Sequence, residues 1–351
     1  MVRRLYKWNY RSFGNASRIT EPDAKVRGHW PGRNHLDHSR SSNAEHLFIR
    51  VHRHPFLGDL DMLQLRDIEV ISSVVRYYTL TRAQINRLHF PTDSDGRITR
   101  KRLRVLHEEG LINRTNMQVV NPAMGAPAYV YFPSSKGCAF LAQELKDDRF
   151  LSACTRTPNW THLYHWVEVA QTHILLDQAI VKFPGVSKIE WISEWTLLNA
   201  DEKEPEKRFK LYTRLGPKLV CAPDAAFLLQ RLVEEDEFRK VFYLEQDRDT
   251  TENANRVAAQ KCHGFASLYE RRMHVARHFP IANVDKFTVL FVAPSPNRRD
   301  ALCKAFADKP AAKLYRFVSQ TDLTADTFLV APIWYSCAGE PTSLLKNGGA
   351  T

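Results

Sequence analysis

No stretch of this 351-residue chain approaches the ~18–20 consecutive apolar residues that span a bilayer, so an integral membrane protein is not expected. The first residues, MVRRLYKWNYRSFGN, carry positive charge with no apolar segment behind it. No secretory signal is read there, and a cytoplasmic protein is expected. Cysteine is sparse and unpatterned: Cys138, Cys154, Cys221, Cys262, Cys303 and Cys337 include no CxxC pair. That argues against a disulfide frame or a zinc site and for buried free thiols. Repeats at solenoid spacing and long low-complexity tracts are also missing. Acid is in short supply. Against 50 Lys+Arg stand 39 Asp+Glu, a formal net charge of +11. Nucleic acid suits such an excess, because neutralised phosphates release condensed counterions.

The length allows two cores. Residues 1–60 read as a basic, flexible arm in which Arg3, Arg4, Lys7, Arg11, Arg18, Lys25, Arg27 and Arg33 outnumber the acids, with Trp8, Tyr10 and Trp30 between them. Its histidines have no metal-ligand spacing. Helical periodicity begins near residue 63: in LQLRDIEVISSVVRYY, Leu65, Ile68, Ile71, Val74 and Val75 recur at steps of three and four. Thr81 and Gln84 form a capping-box pair ahead of RAQINRLHF. A third helix, RITRKRLRVLHEEG, closes on Gly110 as a left-handed C-terminal cap. Two β-prone stretches, LINRTNMQVV and AYVYF, and a helix over SSKGCAFLAQEL complete the unit. Three helices followed by a two-stranded wing predict a winged helix-turn-helix over 61–146.

In that fold the third helix is presented to the major groove of duplex DNA. Arg97, Arg100, Lys101, Arg102 and Arg104 crowd that segment, with Ile98, Leu103, Val105 and Leu106 as its apolar contacts. Like charges so close repel one another, and phosphate relieves the repulsion. Arg114, at the start of the wing, is the expected phosphate contact there. The wing loop, residues 121–127, is uncharged.

Residues 147–160 read as a linker, 161–340 as an α/β domain and 341–351 as a flexible tail. The domain opens on a long helix (THLYHWVEVAQTHILLDQAIVKF). The runs VSKIEWIS, KLVCAPDAAFLLQ and FRKVFYLEQD, then a helix from about residue 252 to 277, then KFTVLFVAP, predict a mixed sheet with helices on both faces. Strand-like KLYRFVS and TFLVAPIW follow. Glu245 and Asp247, two apart on a strand, point the same way, and a hairpin would bring Asp224 near them. Three carboxylates together call for a cation, and oxygen-only donors suit Mg²⁺ or Mn²⁺, which could activate water toward a phosphodiester. The bland alternatives are a strand turn at Asp224 and a helix cap at Glu245 or Asp247.

Pro223-Asp224, a hairpin and then Glu245-Gln246-Asp247 resemble the PD-(D/E)xK nuclease signature. Asp247 stands where that signature has lysine, and the resemblance offers Lys261 on the following helix as a migrated catalytic lysine. More broadly, RDIEVISSVVRYYTLTRAQINRLHF, RKRLRVLHEEGLINR, His165, PDAAFLL, FYLEQDRDTTE, Lys261 through Tyr269 and APIW look like the replication-relaxation family of plasmids and mobile elements. The resemblance implies a duplex-DNA-binding accessory protein of plasmid replication, relaxation or mobilisation, working with a relaxase or replication initiator. A Mg²⁺-dependent endonuclease or nickase and a winged-helix transcriptional regulator are the competing readings. His165 and Glu168 either face the acidic cluster or serve the core. Tyr243 and Tyr269 lack the His-rich metal motif of tyrosine relaxases, which disfavours tyrosine-dependent nicking.

Overall fold

A computed structural model describes residues 63–117, 128–249 and 253–345, all within one compact unit, Asp59–Thr351. The basic arm and the uncharged loop at 121–127 lie outside the described residues.

The first part is helical. Helix α1 (Leu65–Tyr77) leads through the short strand β1 (Leu80–Thr81) into α2 (Arg82–His89) and α3 (Arg97–Glu108). Strands β2 (Ile112–Asn116) and β3 (Tyr129–Pro133) pair antiparallel, and β1 joins β3 to make a three-stranded sheet in the order β1-β3-β2. Helix α4 (Ser135–Leu145) follows. The ends obey local chemistry. Thr81 Oγ1 accepts from the Gln84 N–H at 3.2 Å while Gln84 Oε1 accepts from the Thr81 N–H at 2.9 Å, so two orphan donors are satisfied. Gly110 takes the left-handed conformation, φ +69°, that ends α3.

The second part is a seven-stranded mixed sheet. Its members are β4 (Val186–Ser193), β7 (Ala225–Val233), β8 (Asp236–Gln246), β9 (Phe287–Ala293), β10 (Tyr315–Ser319), β11 (Trp334–Tyr335) and β12 (Pro341–Thr342). The order is β12-β11-β10-β9-β8-β7-β4. Strands β4, β7 and β8 run antiparallel, while β8-β9 and β9-β10 are parallel. Helix α5 (Leu163–Lys182) covers one face; α7 (Ala254–Glu270) and α8 (Pro296–Phe306) cover the other. Between β4 and β7 lie the short helix α6 (Pro205–Arg208) and the two-residue strands β5 (Thr213–Arg214) and β6 (Val220–Cys221). Alternation along β8 sorts the two cores: Val241 and Tyr243 meet α7 and α8, whereas Phe242 and Leu244 join the layer under α5. No helix of the described residues is long and apolar enough to cross a membrane.

Three expectations shift. The run KLVCAPDAAFLLQ is two strands, since Pro223 supplies no N–H and the chain turns between β6 and β7. In TFLVAPIW only Trp334 enters a strand; Thr324 and Thr327 bond each other's hydroxyls and backbone to form a turn. Pro341 and Thr342, read as the start of a flexible tail, pair with β11, and Leu344 is buried.

Helix α5 joins the two parts. Its sheet-facing side buries Val169, Leu176 and Ala179. Toward the helical part, its Asp177 accepts from Tyr77 Oη at 3.1 Å and pairs with Arg76 at 3.4 Å. Gln84 donates to the Val167 carbonyl at 3.1 Å, and Arg87 donates to Gln171 at 3.0 Å. Met117 and Val130 of the hairpin region rest on Leu163.

Candidate functional site

Helix α3 is set by its first turn. Asp93 accepts from Thr99 N at 2.8 Å and Thr99 Oγ1 at 2.7 Å, and Asn86 donates to Thr99 Oγ1 at 2.8 Å. With Thr99 fixed inward, the helical period fixes the rest: Thr99, Arg102, Leu103 and Leu106 form the buried stripe. Arg97, Arg100, Lys101 and Arg104 are therefore exposed. Arg97 reaches Asp95 at 3.0 Å, Arg100 donates to the Asp95 carbonyl at 3.1 Å, and Arg104 stands 4.0 Å from Glu108. Arg114 is exposed with its guanidinium 4.5 Å from the Tyr129 ring centroid, a stacked pair on the hairpin.

Arg102 corrects the sequence reading. It lies on the buried stripe and binds the fully buried Asp67 of α1 through both Nε (3.0 Å) and Nη2. Its charge holds α3 to α1 and does not join the exposed face. Ile98 departs in the other direction, being 55% exposed among the basic residues.

The acidic residues collect at the ends of three neighbouring strands. Ser193 pairs with Ala225, and Ala225 with Leu244. Glu194, the residue after β4, and Asp224, the residue before β7, stand one step beyond these pairs, next to Glu245 of β8. The backbone ties Asp224 to both neighbours: Glu194 N donates to the Asp224 carbonyl at 3.1 Å, and Asp224 N to the Leu244 carbonyl at 3.2 Å. Side chains opposite one another on such a rung stand about 5 Å apart. Two ionised carboxylates at that distance repel by roughly 3 kcal/mol at an effective dielectric of 20.

Cations from both helical layers answer this repulsion. His165, in the first turn of α5, places Nε2 3.1 Å from Asp224 Oδ1. Lys261, from α7, places Nζ 2.5 Å from Glu245 Oε2. The Gln246 N–H donates to Asp224 Oδ2 at 2.7 Å, and the Trp166 indole N–H donates to Glu194 Oε1. Burial opposes charge on His165, but the adjoining Asp224 outweighs it and lifts the imidazolium to about 9. Burial likewise pushes at Asp224, yet His165, Lys261 and the Gln246 N–H hold it below the ordinary carboxylate value. Glu245 is pushed by burial up to about 8 against the pull of Lys261, and Glu194 by burial and Asp224 to about 7. Lys261 is raised, its carboxylate neighbours overcoming burial.

Asp247 does not belong to this rung. It lies beyond the last residue of β8 and takes Arg298 of α8 through Nε at 2.6 Å and Nη2 at 3.2 Å. The arginine extends to Asp249 at 3.0 Å. The expected set Asp224, Glu245 and Asp247 is thus divided among three cations, His165, Lys261 and Arg298, on three helices. Among the described residues, no group of three or more His, Cys, Asp or Glu side chains stands where it could hold a metal ion. Glu245 Oε1 is buried and without a hydrogen-bond partner there. The residues present do not fit the Mg²⁺ or Mn²⁺ that the sequence suggested.

His165 faces the acidic residues, and Glu168 pairs with Arg248 at 3.7 Å beside Tyr164. Tyr243 is fully buried, its hydroxyl 2.6 Å from His278 Nδ1. Glu194 escaped the sequence reading. It follows VSKIEWIS with no motif around it, and only the β4-β7-β8 register puts it beside Asp224.

The family model described as replication-relaxation matches residues 72–284, from within α1 to beyond α7. No curated protein and no solved structure matches the chain.

Proposed function

The chain belongs to the replication-relaxation family, and from that premise we propose that it binds duplex DNA in the replication or relaxation of a plasmid or mobile element. In this reading residues 63–145 act as a winged helix, α3 enters the major groove and the β2–β3 hairpin follows the backbone. One observation carries it. Arg97, Arg100, Lys101, Arg104 and Arg114 are all exposed, although the same helix draws Arg102 inward to complete its core. Exposed Ile98 beside them suits contact with a thymine methyl. A relaxase or replication initiator is the partner such an accessory protein would serve.

Salt titration of binding to plasmid fragments tests this. Each phosphate contact contributes about 0.9 to the slope of log K against log salt, so Arg100→Ala with Lys101→Ala should weaken binding and reduce that slope by about 2. Unchanged affinity and slope would sink the reading.

A Mg²⁺- or Mn²⁺-dependent nickase is the competitor. The departure of Asp247 to Arg298 weighs against it. Conversion of supercoiled plasmid to open circle, lost in Asp224→Ala, would restore it.

A further inference from the structure

We propose that Lys261 and His165 are resident counter-ions of the Glu194–Asp224–Glu245 rung. They supply the positive charge the rung requires and clamp α7 and α5 to the strand ends without bound metal.

The rung demands positive charge, because three carboxylates lie side by side on adjacent strands and Glu245 is 4% exposed. A buried carboxylate left unpaired carries a desolvation cost of several kcal/mol, by the general behaviour of such groups. The protein meets that demand from within. Lys261 contacts Glu245 at 2.5 Å and His165 contacts Asp224 at 3.1 Å. Each cation comes from a helix on a different face of the sheet, so neutralising the rung also fixes both layers against it. A fourth carboxylate that could have added a donor, Asp247, is committed to Arg298, which is 5% exposed. Hard divalent ions need several oxygen donors converging on one point, and an ammonium within contact of Glu245 repels a second cation.

Lys261 also explains why Asp247 stands in the position that the nuclease signature gives to lysine. With the ammonium arriving from α7, β8 need not supply one. The next acidic residue, just past the end of that strand, is released to bind α8.

The full-length chain, stripped with chelator, is titrated with MnCl₂ while bound Mn²⁺ is followed by electron paramagnetic resonance and Tm by calorimetry. The wild type should take up no stoichiometric Mn²⁺ and keep its Tm. Lys261→Met, which keeps the stem and deletes the charge, should melt lower than the wild type, and Lys261→Arg should behave as wild type. One equivalent of Mn²⁺ on the wild type, abolished by Asp224→Asn, would overturn the proposal. So would a Lys261→Met chain that melts as the wild type does. Should Lys261→Met fail to fold even with Mn²⁺, the wild-type titration still decides. None of these readouts depends on DNA binding, so failure here and failure of the duplex-binding reading are separable.

Discussion

Arg102 and Arg100 differ by two positions, and that difference of about 200° around a helix separates an internal tie from a surface cation. The Arg102 guanidinium meets Asp67, which is fully buried and also accepts from the Gln64 N–H at 2.7 Å to close the start of α1. Removing one member of a buried pair leaves an uncompensated charge and typically costs about 3–5 kcal/mol. Arg102→Ala should therefore lower the unfolding free energy obtained from urea titration by that order, and Asp67→Leu with Arg102→Met should regain much of the loss. A double variant no more stable than the single one would show that charge burial is not the cause. The sequence displayed five cations on one segment without giving the helical phase. Thr99, held inward by Asp93 and Asn86, sets that phase, and such a contact between a loop and two helices is not written in any local pattern.

At the scale of elements, helices α1, α2 and α3 were legible because their apolar period and caps are local chemistry. The irregular connections were less so. The long helix expected to about residue 277 stops at Glu270, and a turn of wider pitch over His274–His278 follows. That turn delivers His278 between β5 and β8, with Nε2 2.9 Å from Thr213 Oγ1 and Nδ1 2.6 Å from Tyr243 Oη. Burial, helped by Arg277, Lys210 and His274, depresses His278 from 6.5 to about 3. Unfolded, this imidazole takes up a proton near pH 6.5; folded, it resists until about pH 3. Its contribution is whole above pH 6.5 and is lost as the pH falls toward 3, at up to about 1.4 kcal/mol per pH unit. His278→Asn should flatten the acid limb of stability measured by denaturant titration between those values. An unaltered slope would place the titrating group elsewhere. Pairing of the strands, unlike the helices, rests on contacts far apart in the chain, and so Glu194 could not be assigned to the rung from its own surroundings.

For the whole molecule, α5 decides whether the helical part and the sheet behave as one body. Tyr78 of the helical part lies 4.5 Å from Trp195 and 5.6 Å from Trp166, ring centre to ring centre, and donates to the Arg156 carbonyl at 2.8 Å. These contacts add to the Asp177 ion pairs and the Gln84 hydrogen bonds. Residues 147–160, expected as a linker, thus carry one of the ties. Unfolding in urea should be a single transition, with far-UV circular dichroism and tryptophan fluorescence coincident. Tryptophans within the described residues all lie at position 160 or later. A helical signal lost before the fluorescence change would mean that the two parts melt independently. The net charge of +11 was visible at once; its division into an exposed set on α3 and internal ties was not.

The acidic rung has a consequence for how the sheet finds its alignment. Side chains alternate along a strand, so sliding β7 against β8 by one residue would turn Asp224 toward the opposite surface from its partners. Lys261 would then meet one carboxylate without its neighbour. A misaligned hairpin thus strands charge in an oily layer, while the native alignment alone gathers three acids where two bases await them. The cluster works as a notch and key for strand pairing.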